Sequence, residues 1–114
     1  MLGGAVRTNT FAMVDASTVD SVRKLSVDVL FISCDGLSFG RGLTTPYSDE
    51  ALVKRAMIES ARRVVAIVDS SKLGNEQLFR FAGLDEIDVL VTDDRADGAA
   101  VAAIEAHGVV VRCA

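Results

Sequence analysis

Residues 62–74 read RRVVAIVDSSKLG. The run from Val64 to Val68 is apolar without a polar interruption. A strand of that kind is buried on both faces, as in a parallel sheet covered by helices. It stops abruptly in Asp69, Ser70, Ser71, Lys72 and Gly74. Aspartate and serine after a strand are ordinary turn or cap residues. Lysine is not a turn former, so the stretch reads either as a turn or as the edge of a ligand site.

The flanking sequence supports a sheet of parallel strands joined by helices. DEALVKRAMIESARR (49–63) has the helical period, with Leu52, Val53, Ala56, Met57 and Ala61 on its apolar face. Ser48 is placed to cap it; Asp49 and Glu50 fall in its first turn and Arg62 and Arg63 in its last. Before it lie a strand, VDVLFIS (27–33), and a long Gly/Ser/Thr loop, CDGLSFGRGLTTPYS (34–48). Earlier still, MLGG reads as a turn, TFAMV (10–14) as a short strand, and DASTVDSVRKL (15–25) as a helix capped by Asp15 or Ser17. After Gly74, the expected elements are a short helix NEQLFRF, a strand IDVLVTD (87–93), a helix RADGAAVAAIEAHG weakened by Gly98 and ended by Gly108, and a last strand VVVRC. This alternation predicts an α/β fold with a doubly wound, mostly parallel sheet.

The chain has 114 residues, half of them hydrophobic, which suits one domain or part of one. A formal charge of −4 and scattered basic pairs argue against DNA binding by this segment. Cys34 and Cys113 form no CxxC motif and read as two buried thiols in a reducing cytoplasm. No stretch resembles a signal peptide or a membrane span, so a cytoplasmic location is expected. There is no metal-ligand cluster, and the single His107 supports no catalytic triad.

In open α/β sheets ligands bind beyond the carboxyl ends of the strands. That rule groups Cys34, Asp35 and Gly36 with Asp69 to Lys72 and with Thr92, Asp93 and Asp94, provided their strands are parallel neighbours. Carboxylates, hydroxyls, a lysine and glycine-rich backbone suit a small polyol or sugar phosphate. Asp93 and Asp94 are equally ordinary as turn residues, and GRGLTT is neither a P-loop nor a dinucleotide fingerprint. Glu50 and Lys54 make an i,i+4 helix pair, and the same spacing lets Glu50 point from the first turn into the crevice.

Positions 31–74, FISCDGLSFGRGLTTPYSDEALVKRAMIESARRVVAIVDSSKLG, resemble the effector-sensing domain of the DeoR family of sugar-responsive transcriptional repressors. The matching pieces are Gly42-Leu43-Thr44, Glu50-Ala51, Val53 to Ile58 and Asp69 to Gly74; the opening LGG, IDVLVTD and HGVVV also fit. The resemblance implies a fold similar to ribose phosphate isomerases and CoA transferases. It also implies that residues 1–114 are the C-terminal part of a sugar-phosphate sensor, with the first part of the sensor and a winged helix-turn-helix absent. Asp35, Arg41, Glu50 and Lys72 fall where the isomerases hold their sugar phosphate, although Arg41 stands in place of a lysine. The expected ligand residues are Asp35, Gly36, Arg41, Gly42, Thr44, Glu50, Asp69, Ser71 and Lys72. The resemblance further implies a homo-oligomer without catalysis, metal, cofactor or membrane, reaching DNA only through the missing domain. A sugar-phosphate isomerase and a non-binding dimerisation remnant stand as alternatives.

Overall fold

The structure, a computed structural model, describes residues 16–114. The expected turn at MLGG, strand at 10–14 and Asp15 cap lie outside the described residues. Ser17, the other expected cap, falls inside the first helix. The chain runs α1 (Ala16–Arg23), β1 (Val27–Ile32), β2 (Gly36–Ser38), β3 (Gly42–Thr45), α2 (Ser48–Ser60), β4 (Ala61–Ile67), β5 (Phe79–Ala82), β6 (Val89–Thr92), α3 (Gly98–Glu105) and β7 (Val110–Cys113). The main sheet has the order β1-β4-β6-β7, and every pair in it is parallel. The α/β class and the mostly parallel sheet are those the sequence implies.

A second, antiparallel sheet of order β2-β3-β5 was not anticipated. The stretch 34–48, expected to be a loop, folds into the β2–β3 hairpin, with Leu37 paired to Leu43. The expected helix NEQLFRF gives way to β5, whose Arg80 is exposed between half-buried Phe79 and buried Phe81. That alternation has the period of a strand, and β3 supplies the partner edge. Gly42 makes the hairpin possible. Its φ is +78°, and a Cβ there would stand 2.2 Å from the Ala82 carbonyl oxygen.

Helix α2 ends at Ser60, three residues earlier than expected, and β4 begins at once. Arg62 and Arg63 therefore lie in a strand and do not meet the helix dipole. The cause is local: Ala61 already has extended dihedrals, and the Ser60 hydroxyl donates to the Ala56 or Val22 carbonyl. Ser48 is not the cap. Tyr47 occupies that position without a side-chain hydrogen bond. Leu52, expected in the core, is exposed, and the buried face of α2 carries Glu50, Ala51, Val53, Lys54, Ala56 and Ile58. In α3, Asp97 is the cap, accepting from the Ala100 N–H, so Gly98 sits at the first helical position rather than mid-helix. Gly108 follows that helix with φ +87°, as expected of a C-terminal glycine.

The core fills the space between one face of the main sheet, α2, α3 and the small sheet. Leu37, Leu43, Leu90 and Ile104 are among its fully buried side chains, each worth about 2–5 kcal/mol against alanine. On the opposite face of the main sheet Val65 is buried, while Val29, Phe31 and Val110 are exposed. Ile67 of β4 is half-exposed there, so the expectation that both faces of VVAIV are buried holds only in part. Cys34 is buried but Cys113 is exposed, because its strand is the sheet edge; both are free thiols. Among the described residues no helix is long and apolar enough to cross a membrane.

Candidate functional site

Strands β1, β4 and β6 are parallel neighbours, so their carboxyl ends share one edge. Beyond β1 come Ser33, Cys34 and Asp35. The first two turns of α2 are aimed at the same place. Lys54 donates from Nζ to the Ser33 carbonyl at 2.8 Å and stands 3.6 Å from Glu50 Oε1. Both side chains are about nine-tenths buried, with relative exposures of 11 % and 9 %. The Lys54 ammonium also lies 5.3 Å from the centre of the Phe81 ring. This is more than the surface helix pair its spacing suggests, because desolvation makes each charge dependent on the other.

Glu50 Oε2 is buried and accepts no hydrogen bond among the described residues. A buried carboxylate oxygen left so is costly unless a donor meets it. The Thr45 hydroxyl at the end of β3 donates to Asp35 Oδ2 at 3.1 Å. The Cys34 thiol is pushed up to about 11, first by burial; Lys54 and the Gly36 N–H oppose that, Asp35 adds to it, and Lys72 also opposes it. The thiol therefore stays protonated at neutral pH and is no nucleophile. The same charges place Lys54, Asp35 and Lys72 around one point.

The turn after β4 is short and tied at both ends. Ser70 N–H donates to Asp93 Oδ2 at 2.9 Å, and Gly74 N–H donates to the Leu37 carbonyl at 2.7 Å. Between them Ser70–Lys72 make one 3₁₀ turn, and the Ser71 hydroxyl donates to Asp69 Oδ2. Lys72 N–H is held by the Asp69 carbonyl, but its ammonium has no partner among the described residues. Asp93 is a clasp for this turn. The Ser70 N–H, followed by the Ser70 hydroxyl and Asp69, holds its carboxyl well below the usual carboxylate range.

The other expected ligand residues are placed differently. The Arg41 guanidinium donates to the Gln77 carbonyl at 2.6 Å and to the Leu78 carbonyl at 3.0 Å. Thr44 is fully buried; its hydroxyl donates to the Gly36 carbonyl and accepts from Gln77 N–H. Gly36 lets the chain pass closely, since a Cβ there would stand 2.5 Å from the Asn75 carbonyl oxygen. Gly42 serves the hairpin. The structure thus puts Asp35 and Lys72 near Cys34 and sets Glu50 against Lys54, and it engages Arg41, Gly42 and Thr44 in building the small sheet. Lys54 and Thr45 belong to the site and were not singled out as ligand residues. The signal for Lys54 was its i+4 place behind Glu50 within an apolar stretch.

Among the described residues no group of three or more His, Cys, Asp and Glu could hold a metal. The arrangement offers carboxylate acceptors, two ammonium groups and one hydroxyl. Chemically, that set suits a hydroxylated anion.

Comparison with known proteins bears on the same residues. The sequence profile described as the DeoR C terminal sensor domain matches residues 1–94. The chain is 39 % identical over 111 residues to the HTH-type transcriptional regulator GlpR of Haloferax volcanii, covering 97 % of this chain and 44 % of that protein. It is 34 % identical over 93 residues to the HTH-type transcriptional repressor GlcR of Bacillus subtilis, covering 82 % of this chain and 36 % of the repressor. A putative aga operon transcriptional repressor of Escherichia coli O157:H7 is 30 % identical over 94 residues, covering 82 % and 35 %. The chain spans less than half the length of these relatives.

Proposed function

The chain belongs to the DeoR C-terminal sensor domain family, and from that premise we propose that it is the effector-binding part of a transcriptional regulator. In this reading the effector is a phosphorylated sugar or sugar derivative, bound beyond the carboxyl ends of β1 and β4. Glu50 and Asp35 accept from its hydroxyls, and the Lys72 ammonium meets its phosphate as a point charge. Lys54 orients Glu50. The observation that carries the reading is the unmet Glu50 Oε2, buried beside Lys54.

Binding then shifts the arrangement of subunits in a homo-oligomer, and with it a winged helix carried elsewhere in a longer protein. The relatives' names, helix-turn-helix regulators and repressors, support a separate DNA-reading part. The charge of −4 makes this segment a poor partner for phosphate backbone. Residues 1–114 are on this reading the C-terminal part of the sensor, in a cytoplasmic protein. Glu50 is engaged through Oε1 by Lys54, which favours binding over isomerase turnover.

The test is calorimetric titration with a panel of pentose and hexose phosphates and their unphosphorylated counterparts. A phosphorylated member binds, its unphosphorylated form binds at least about tenfold more weakly, and Lys72→Ala removes that difference. Binding of no phosphorylated sugar, together with unaltered operator release in a longer regulator carrying this segment, refutes the reading.

A further inference from the structure

The Lys72 ammonium ends a flexible stem, so its place is fixed only as well as the backbone that carries it. That backbone is the single turn Ser70–Lys72, which receives no side-chain cap from Asp69. Its internal bonds are local. Lys72 N–H donates to the Asp69 carbonyl at 2.9 Å, Leu73 N–H to the Ser70 carbonyl at 3.1 Å, and Asn75 Nδ2 to the Ser71 carbonyl at 3.0 Å. Such bonds hold a turn together without setting where it stands. Two bonds to other elements do that among the described residues. Gly74 N–H meets the Leu37 carbonyl, after Lys72 and from main chain to main chain. Ser70 N–H meets Asp93 Oδ2 at 2.9 Å, before Lys72, and depends on one side chain.

Asp93 is itself well fixed. It follows Thr92, which pairs with Cys113 in the sheet, and its other oxygen accepts the Arg95 N–H at 2.9 Å. Its charge, however, has the sign of the phosphate that Lys72 is read to meet, and like charges repel. The exposed Arg95 guanidinium, 3.9 Å from Oδ1, offsets little of it. We propose that Asp93 is a positioning residue for phosphate binding: it holds the Lys72 turn through the Ser70 N–H and does not touch the ligand. The proposal rests on the reading of Lys72 as the phosphate contact, and adds the residue that sets the place of its ammonium. Phosphate binding here depends on a carboxylate that, by charge alone, opposes it.

Charge and position therefore predict opposite orders in a substitution series. The probe is inorganic phosphate, titrated into the whole chain at neutral pH and read from the amide chemical shifts of the Lys72 turn. In the parent these shifts saturate, and Lys72→Ala abolishes them. Asp93→Asn keeps an oxygen for the Ser70 N–H and drops the charge, so it binds phosphate at least as tightly as the parent. Asp93→Glu keeps the charge but carries the carboxylate one methylene further, and Asp93→Ala drops both. Each of these binds at least about tenfold more weakly, the usual scale for a hydrogen bond that orients a binding group. Far-ultraviolet circular dichroism confirms that the variants are folded, and the glutamate variant carries the test if the alanine variant is not. Asparagine and alanine variants that both bind more tightly than the parent show a purely electrostatic role and overturn the proposal. Equal affinity across the series overturns it too. A parent without saturable shifts overturns the reading of Lys72 itself and the proposal with it, a result distinct from a failed series.

Discussion

Replacing Lys54 by methionine tests whether the Glu50–Lys54 pair is truly desolvated. Methionine keeps most of the apolar stem, so buried area changes little. Two things are lost. One is the 2.8 Å charge-assisted hydrogen bond to the Ser33 carbonyl, worth about 1.5–3 kcal/mol. The other is the cation 3.6 Å from Glu50, and breaking a buried pair costs about 3–5 kcal/mol in all. The separation is longer than that of an ideal contact, so the lower end applies: about 3 kcal/mol at neutral pH. Adding Glu50→Leu removes the stranded carboxylate together with its unmet Oε2 and recovers more than half of the loss. Urea denaturation of the single and double variants reads both effects. The reasoning is refuted if the single variant loses less than about 1 kcal/mol, the value of an exposed pair. It is equally refuted if the double variant is no more stable than the single one.

Three further outcomes follow from other contacts. Gly42→Ala, at φ +78° with backbone 2.2 Å from the new Cβ, destabilises by at least about 2 kcal/mol, read as a fall in the urea midpoint. Asp93 is ionised more readily in the folded chain than in the unfolded one, so its contribution is present above the unfolded pKa of about 3.9 and disappears as pH falls through the lower folded value. Asp93→Asn is therefore less stable than the parent at pH 7, and the gap closes in acid, measured by urea midpoints along a pH series. In thiol titration at pH 8 the native chain presents one accessible cysteine, Cys113; Cys34, buried and pushed up to about 11, reacts only on unfolding.

The large sheet was legible because its strands are rich in branched residues, and the helix before β4 because its period is unmistakable. The small sheet was not. Gly36 and Gly42 read locally as loop residues; they pair within the β2–β3 hairpin, and Phe79–Ala82, distant in sequence, completes the sheet against β3. The same non-local pairing redirected Arg41: nothing beside it in the sequence signals carbonyls 36 and 37 residues away. The places of Asp35 just beyond a strand and Glu50 in a first helical turn were legible. Lys54 was hidden because an i,i+4 pair looks the same on a wet surface as in a buried one; burial, not spacing, distinguishes them.

The short turn carrying Lys72 has its first amide bonded to the end of β6 and its last to β2, with Leu37 and Leu73 bridged as though by one more rung of sheet. It is a stitch between two sheets that otherwise meet through packed side chains. Any force applied at the Lys72 ammonium is shared by both fabrics at once. A ligand seated there would raise the work needed to slide one sheet against the other, and amide exchange along β2 and β6 would slow together.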